Sequence, residues 1–309
     1  MKSTKLTELG MIEYIRKRFP VKNREIRKGI GDDAMVFRNG FLVTTDSFFE
    51  GVHFDLGYFS MVDLGRHIMS ASLSDIAAMC GQPLCALVSL NLTPRNSFRE
   101  ITDLYQGFEM TSKKYGFDIS GGDIVQSPCM GVTITVIGKA VNPVFRSAAK
   151  PGQALYVTNF LGLAEVGRAV LSQGLPKKEY PTAIEKHLCP EPRIKEAGFL
   201  KKYVHACIDT SDGLSTDAMH LADESRVKIV IDIEHVPIHS EVGRYCTLKG
   251  IEPFDFILGA GEDFELLFTA KYLPKSTPVK IFRIGRISKG RGLFASFRGK
   301  IRRIRPSGY

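Results

Sequence analysis

The residues best suited to chemistry in this sequence are aspartates set beside glycines. Asp32 and Asp33 follow Gly29-Ile30-Gly31, Asp46 closes an apolar run through Thr44 and Thr45, and Asp75 lies within Ser72-Leu73-Ser74-Asp75-Ile76-Ala77-Ala78-Met79. Asp123 follows Gly121-Gly122, Asp209 and Asp212 bracket Thr210-Ser211 ahead of Gly213, and Glu262-Asp263 follow Gly259-Ala260-Gly261. One such aspartate is ordinarily a turn residue or a helix cap. The recurrence of the arrangement points further. A short acidic side chain at an element's end can meet a ligand, and several gathered together repel one another unless a cation neutralises them. Hard divalent ions such as Mg²⁺ are held by a few carboxylates together with substrate phosphates. The pattern therefore reads as Mg²⁺-nucleotide chemistry.

Other chemistries lack their residues. There is no G-x-x-x-x-G-K-[ST] loop, no G-x-G-x-x-G opening a helix after the first strand, no protein-kinase motif set and no G-x-S-x-G elbow. His53 and His67 are fourteen apart and His235 and His239 four apart, without H-E-x-x-H. The six cysteines, at 80, 85, 129, 189, 207 and 246, form no C-x-x-C pair and read as reduced, mostly buried thiols. Net charge is +9, but the stretch from Leu266 to Tyr309 holds twelve Lys or Arg and no acid, which leaves −3 for everything before it. That basic stretch, with Phe282, Phe294 and Phe297 among its charges, favours a solvated face on a phosphate-handling enzyme over a nucleic-acid surface. With 44% hydrophobic and 24% charged residues, no apolar leader and no run of about 20 apolar residues, the expectation is a cytoplasmic globular protein without membrane contact.

The elements that must position these residues alternate between helix and strand. Leu6, Leu9, Ile12, Ile15 and Phe19 space an amphipathic helix that ends before Pro20. Ala34–Arg38 and Phe41–Asp46 form a hairpin across Asn39-Gly40. A helix over about Val62–Met79, a strand over Leu84–Leu92, a helix through Phe98, Ile101, Leu104, Tyr105 and Phe108, and a strand over Val132–Val136 follow. Composition breaks at Val141-Asn142-Pro143 and at Lys150-Pro151-Gly152, which divides the chain into residues 1–142 and 143–309. The second half restarts with strand Ala154–Thr158 and a helix over Gly162–Leu171, passes through a Pro-rich connection from Pro176 to Pro192, and continues with strands over Val227–Ile233, Phe264–Ala270 and Val279–Ile284. The fold class is two-domain α/β (α+β), and 309 residues suit two domains.

In this order the motifs resemble those of the thiamine-monophosphate kinases. Gly29-Ile30-Gly31-Asp32-Asp33-Ala34, Thr44-Thr45-Asp46, Glu50-Gly51-Val52-His53-Phe54 and Leu73-Ser74-Asp75-Ile76-Ala77-Ala78-Met79 come first. Gly121-Gly122-Asp123, Arg146-Ser147, Asp209-Thr210-Ser211-Asp212-Gly213-Leu214 and Gly261-Glu262-Asp263-Phe264-Glu265-Leu266-Leu267-Phe268-Thr269 complete a series from about residue 29 to 269. The resemblance implies the aminoimidazole ribonucleotide synthase-like fold, with a homodimer whose N-terminal sheets form a barrel-like core. It implies ATP and thiamine monophosphate as substrates and several Mg²⁺ ions. By position, Asp33, Thr44, Thr45, Asp46, Asp75, Asp123, Asp209 and Asp212 match the metal set. Tyr105, Gly122, Asp123, Arg146 and Ser211 match ATP-holding positions, and His53 and Glu262 match contacts to the thiamine phosphate. The family usually ends in Gly, Trp or Tyr, one residue and His-Phe; this sequence stops at Gly308-Tyr309, and Tyr309 stands where the ring-packing aromatic would be.

Relatives with other activities fit less well. Selenophosphate synthase carries a reactive residue near its start, whereas the first cysteine here is Cys80. The hydrogenase-maturation relative ends in cysteine, whereas this chain ends in tyrosine. Aminoimidazole ribonucleotide synthase itself and a non-catalytic nucleic-acid-binding protein remain as alternatives. Because the acceptor is an ionised phosphate oxygen, direct transfer without a dedicated general base is expected.

Overall fold

The computed structural model describes the backbone of residues 8–307 and the side chains of residues 10–307; Tyr309 lies outside the described residues. The chain runs α1 (Glu8–Arg18), β1 (Ile26–Lys28), β2 (Met35–Phe37), β3 (Phe41–Phe49), α2 (Met61–Ala78), β4 (Gln82–Leu92), α3 (Phe98–Tyr115), β5 (Asp118–Gln126) and β6 (Gly131–Lys139). A 3₁₀ turn at Arg146–Ala148 leads into β7 (Ala154–Thr158), α4 (Leu163–Ser172), α5 (Pro181–Leu188), α6 (Ile194–Leu200), β8 (Val204–Asp209) and α7 (Leu214–Ser225). The last part holds β9 (Lys228–Asp232), α8 (Ser240–Lys249), α9 (Pro253–Gly259), β10 (Leu266–Ala270), β11 (Ile281–Ser288), β12 (Gly292–Phe297) and β13 (Lys300–Arg303).

Two mixed sheets result. The first has the order β1-β2-β3-β6-β4-β5 and the second β13-β12-β9-β11-β7-β10-β8. The hairpin over Asn39-Gly40 forms as its sequence requires: Met35 pairs with Val43, and Gly40 takes φ 87°, open to glycine at little cost. α2 and α3 cover one face of the first sheet. Ser60 starts α2 by accepting from Asp63 N at 3.1 Å, and Ser97 and Glu100 form a capping box on α3. The two helices meet at Gly65 and Gly107, where a Cβ would come within 2.2 Å of the carbonyl oxygens of Leu104 and Val62 respectively. Their apolar faces pack Leu64, Ile68, Leu73, Ile76, Leu104 and Phe108 onto Val88, Leu90, Val132 and Ile134.

A second core joins Leu155, Val157, Ile229, Ile231 and Leu293 of the second sheet to α4 and α7 through Val166, Val170, Leu214, Ala218 and Leu221. The first core does not end with the first sheet. Ile194, Ala197 and Leu200 of α6, Cys207 of β8 and Leu266 and Phe268 of β10 are buried within it, so apolar packing spans both sheets. Near that junction Glu265 is fully buried and held by Arg193 (2.5 and 2.6 Å), by Lys186 (2.5 Å) and by the Thr158 hydroxyl (2.6 Å).

Sequence patterning located most of these elements to within a few residues. It gave no bounds to β1, α6, β8, α8, α9, β12 or β13, it missed β5, whose Gly121-Gly122 pair reads as a loop, and it read residues 176–192 as connection although α5 begins there at Pro181. Proline at the first helical turn gives up no intrahelical bond, so the Pro-rich segment accommodates a helix.

Candidate active site

Strand ends and helix turns deliver the acidic residues to one place. Asp33 lies in the loop before β2, Asp75 near the end of α2 and Asp209 at the end of β8; a carboxylate oxygen from each lies within 4.8 Å of the others. Asp33 and Asp209 are buried, and Asp75 is partly exposed. β3 turns Thr44 and Asp46 towards α2. The Thr44 hydroxyl donates to Asp75 Oδ2, and Asp46 is close enough for its charge to act on Asp75. The charge of Asp212, in the turn after β8, acts on Asp209 in the same way.

The electrostatics are those of carboxylates crowded out of water. Burial, followed by the charges of Asp46, Asp209 and Asp33, pushes Asp75 well above the usual carboxylate range, with only the Thr44 hydroxyl opposing. Burial and then Asp33 raise Asp209 to about 7 against Ser74 and Arg146, and burial raises Asp46 to about 6 against Ser72. Asp32 is raised to about 6 by burial and by Asp33, while its oxygen accepts from Arg146 N at 3.0 Å. Arg146 sends Nη2 to Asp33 Oδ1 at 2.8 Å; burial works against its charge, but the neighbouring aspartates hold it protonated. Among the described residues, Asp33 Oδ2 and Arg146 Nε are buried without a hydrogen-bond partner. An all-oxygen donor set, like charges in low dielectric and an unsatisfied carboxylate oxygen fit a hard divalent cation.

The other expected site residues lie around or away from this centre. Ser211 follows Asp209, and its carbonyl accepts from Glu262 N at 2.9 Å. Glu262 sits at φ 62°, partly exposed; burial and the nearby Glu165 raise it to about 7, with Arg168 opposing. His53 is exposed, its Nδ1 accepting from Phe49 N at 3.1 Å. Tyr105 is half-buried on α3, edge-on to Phe108. Thr45 and Asp123 are exposed on the sheet face turned away from α2: Thr45 bonds Thr135 across the ladder, and Asp123 accepts from Ile124 N at 2.9 Å. Gly122 pairs with Val88 so closely that a Cβ there would fall 1.7 Å from the Val88 carbonyl oxygen.

Sequence reasoning missed a second group beside Glu262: Tyr58, His67, Glu165, Arg168 and His187. These residues come from a loop and three helices far apart in the chain, and only His67 drew notice there. It also left Asp217 unremarked, whose buried carboxyl lies close enough to feel Asp212 and Asp209. Its position in Gly213-Leu214-Ser215-Thr216-Asp217 is a helix's first turn, a signal that any capping residue would give.

Comparison with known proteins agrees with this geometry. The N-terminal domain model for AIR synthase related proteins matches residues 31–140. The thiamine-monophosphate kinase of Aquifex aeolicus is 33% identical over 100% of this chain and 99% of its own length. That of Bacillus subtilis is 34% identical over 85% and 83%. The solved complex of AaThiL with AMPPCP and TMP superposes with a TM-score of 0.89 at 32% identity, covering 100% of this chain and 98% of the other.

Proposed function

Because this chain belongs to the thiamine-monophosphate kinase family, we propose that it transfers the terminal phosphate of ATP to thiamine monophosphate, giving ADP and thiamine diphosphate. The observation that carries the reading is the convergence of Asp33, Asp75 and Asp209, contributed by three separate elements. Asp33, Thr44, Asp46, Asp75, Asp209 and Asp212 are the groups we assign to Mg²⁺ at this centre, which when bound would neutralise charge on the two approaching phosphates, and Thr45 and Asp123, on the opposite face of the sheet, are assigned to a further Mg²⁺ ion. Arg146 and Ser211, with Tyr105, Gly122 and Asp123, are assigned to ATP; His53, Glu262 and Tyr309 are assigned to the thiamine end.

The work left to the protein is positioning. The acceptor oxygen is already ionised near neutral pH, so no side chain has to remove a proton. Arg146 stands against Asp33 at the edge of the acidic centre, where a guanidinium can meet a phosphate by two parallel hydrogen bonds. Holding both phosphates in line converts a bimolecular encounter into an oriented one. Transfer is direct, without a phosphoenzyme.

Residues 1–142 carry the sheet that would pair with a second copy, and residues 143–309 supply Arg146, Asp209 and Glu262. The outer faces of β4 and β5 support a homodimer closing a barrel-like core: Leu87 and Val125 are exposed there, and β5 is an open edge of nine residues. A second copy on this face would bring its groups against Thr45 and Asp123. Among the described residues no helix is long and apolar enough to cross a membrane.

The test is incubation with Mg²⁺, ATP and thiamine monophosphate, reading thiamine diphosphate by chromatography and mass by light scattering. Product dependent on Mg²⁺ and lost in Asp46→Asn is expected. No product, or full activity in Asp46→Asn, overturns the assignment, and a monomer under assay conditions overturns the dimer.

A further inference from the structure

His187, on α5, is only 1% exposed and lies among aromatic rings. It packs on Phe59 at 5.2 Å, on Tyr58 at 5.7 Å and on His67 at 5.7 Å between centroids. Its backbone carbonyl accepts from His67 Nδ1 at 2.7 Å, which ties α5 to α2. The two ring nitrogens differ. Nε2 lies 3.4 Å from the Tyr58 hydroxyl, whereas Nδ1 is buried without a hydrogen-bond partner. Nδ1 stands 3.8 Å from Glu262 Oε2.

A buried polar atom left unpaired is destabilising, and a phenylalanine would fill the same aromatic slot without that cost. The atom instead faces the one carboxylate assigned to the organic end of the acceptor. Glu262 has little freedom behind it: its backbone is at φ 62° and its N–H is fixed to the Ser211 carbonyl. If the Tyr58 hydroxyl donates to Nε2, the neutral ring carries its proton on Nδ1, aimed at Glu262. A shift of about 1 Å in the carboxylate closes the gap to hydrogen-bonding distance.

We propose that His187, oriented by Tyr58, is a positioning residue for Glu262: its Nδ1–H donates to one carboxylate oxygen while the other engages the acceptor's thiamine moiety. The inference rests on Glu262 contacting that moiety. Glu165, Arg168 and Asp263 also act on Glu262 through their charges, and His187 Nδ1 approaches Oε2 from the buried side.

The experiment measures kcat and separate KM values for thiamine monophosphate and ATP in the full chain. His187→Phe keeps the ring packing and removes both nitrogens; it is expected to raise KM for thiamine monophosphate about tenfold and leave KM for ATP unchanged, with no fall in the melting temperature. His187→Asn, which returns an N–H near the Nδ1 position, recovers most of the loss. Because His187 acts through Glu262, the double variant His187→Phe/Glu262→Gln is no worse than Glu262→Gln alone. Additive losses, equal changes in both KM values, or no change in His187→Phe overturn the proposal. If Glu262→Gln leaves KM for thiamine monophosphate unchanged, the Glu262 assignment fails and takes the inference with it, whereas additivity beside an impaired Glu262→Gln sinks the inference alone. Should His187→Phe not fold, Tyr58→Phe carries the test, with a severalfold rise in the same KM expected and no rise refuting it.

Discussion

Replacing Asp75 with asparagine is expected to stabilise the metal-free protein while abolishing its activity. The native fold resists ionising this carboxyl, through burial and then through Asp46, Asp209 and Asp33, whereas the unfolded chain ionises it near pH 4. Its pKa is raised by folding, so the native state binds the extra proton and stability falls as pH climbs above about 4. At 1.36 kcal/mol per pH unit, a side chain held protonated would cost at most about 5 kcal/mol at pH 7.5 and about 1.5 kcal/mol at pH 5. Asparagine keeps the shape and an oxygen for the Thr44 hydroxyl, and it carries no proton to lose. Relaxation around the site brings the gain below that ceiling. With an unfolding entropy of about 0.65 kcal/mol/K for a chain of this length, the ceilings correspond to a rise in melting temperature of at most about 8 °C at pH 7.5 and about 2 °C at pH 5. Scanning calorimetry in EDTA at both pH values reads the difference. Added Mg²⁺ should reverse the order by stabilising only the wild type. An Asp75→Asn protein that melts below the wild type in EDTA at pH 7.5 would refute the claim that like-charge crowding dominates this centre.

Arg193→Met should cost about 3–5 kcal/mol in urea unfolding, because Glu265 loses two of its hydrogen bonds in a buried setting; a loss under 1 kcal/mol would contradict that. Gly107→Ala forces a methyl group against the Val62 carbonyl and should destabilise by about 1–3 kcal/mol, with a neutral outcome refuting the tight α2–α3 contact. Burial lowers His67 to about 4 against a hydrogen bond to His187, so from pH 6.5 down to 4 the unfolded chain takes up a proton that the native one refuses. Stability is lost as pH falls through that window, and His67→Phe should remove up to about 3 kcal/mol of the loss. Urea titrations of both proteins at pH 7.5 and 4.5 decide it, and parallel losses would count against the assignment.

What could be read in advance follows from the range of the forces involved. Hairpins, caps and helix faces depend on near neighbours, so Asn39-Gly40, the Phe98 helix and the Ala154–Thr158 strand declare themselves. The acidic centre was legible in part because Asp33, Asp209 and Asp212 lie beside a glycine motif or at a strand end, whereas Asp75 inside α2 and Asp46 inside β3 entered through the ordered series of motifs. The partners that tune it were not. Asp32 and Asp33 are adjacent, yet only the fold gives Asp33 the Arg146 side chain and Asp32 the Arg146 backbone N–H. His187 lies 120 residues from His67, and no periodicity links a ring on α5 to one on α2. β5 escaped notice because its glycines satisfy a packing need of β4, a demand that exists only once the strands are side by side.

The apolar packing shared between the two sheets has a consequence for how the chain could be divided. A cut after residue 142 would strip α2 of Ile194, Ala197 and Leu200 and leave Leu266 and Phe268 bare on the other piece. Each fragment would then present an oily flank to water, and the pair would be recovered as a complex or as precipitate, not as two independent folding units. The same seam argues for a stiff molecule. Its two halves share one block of apolar side chains, so any hinge between them would have to open that core.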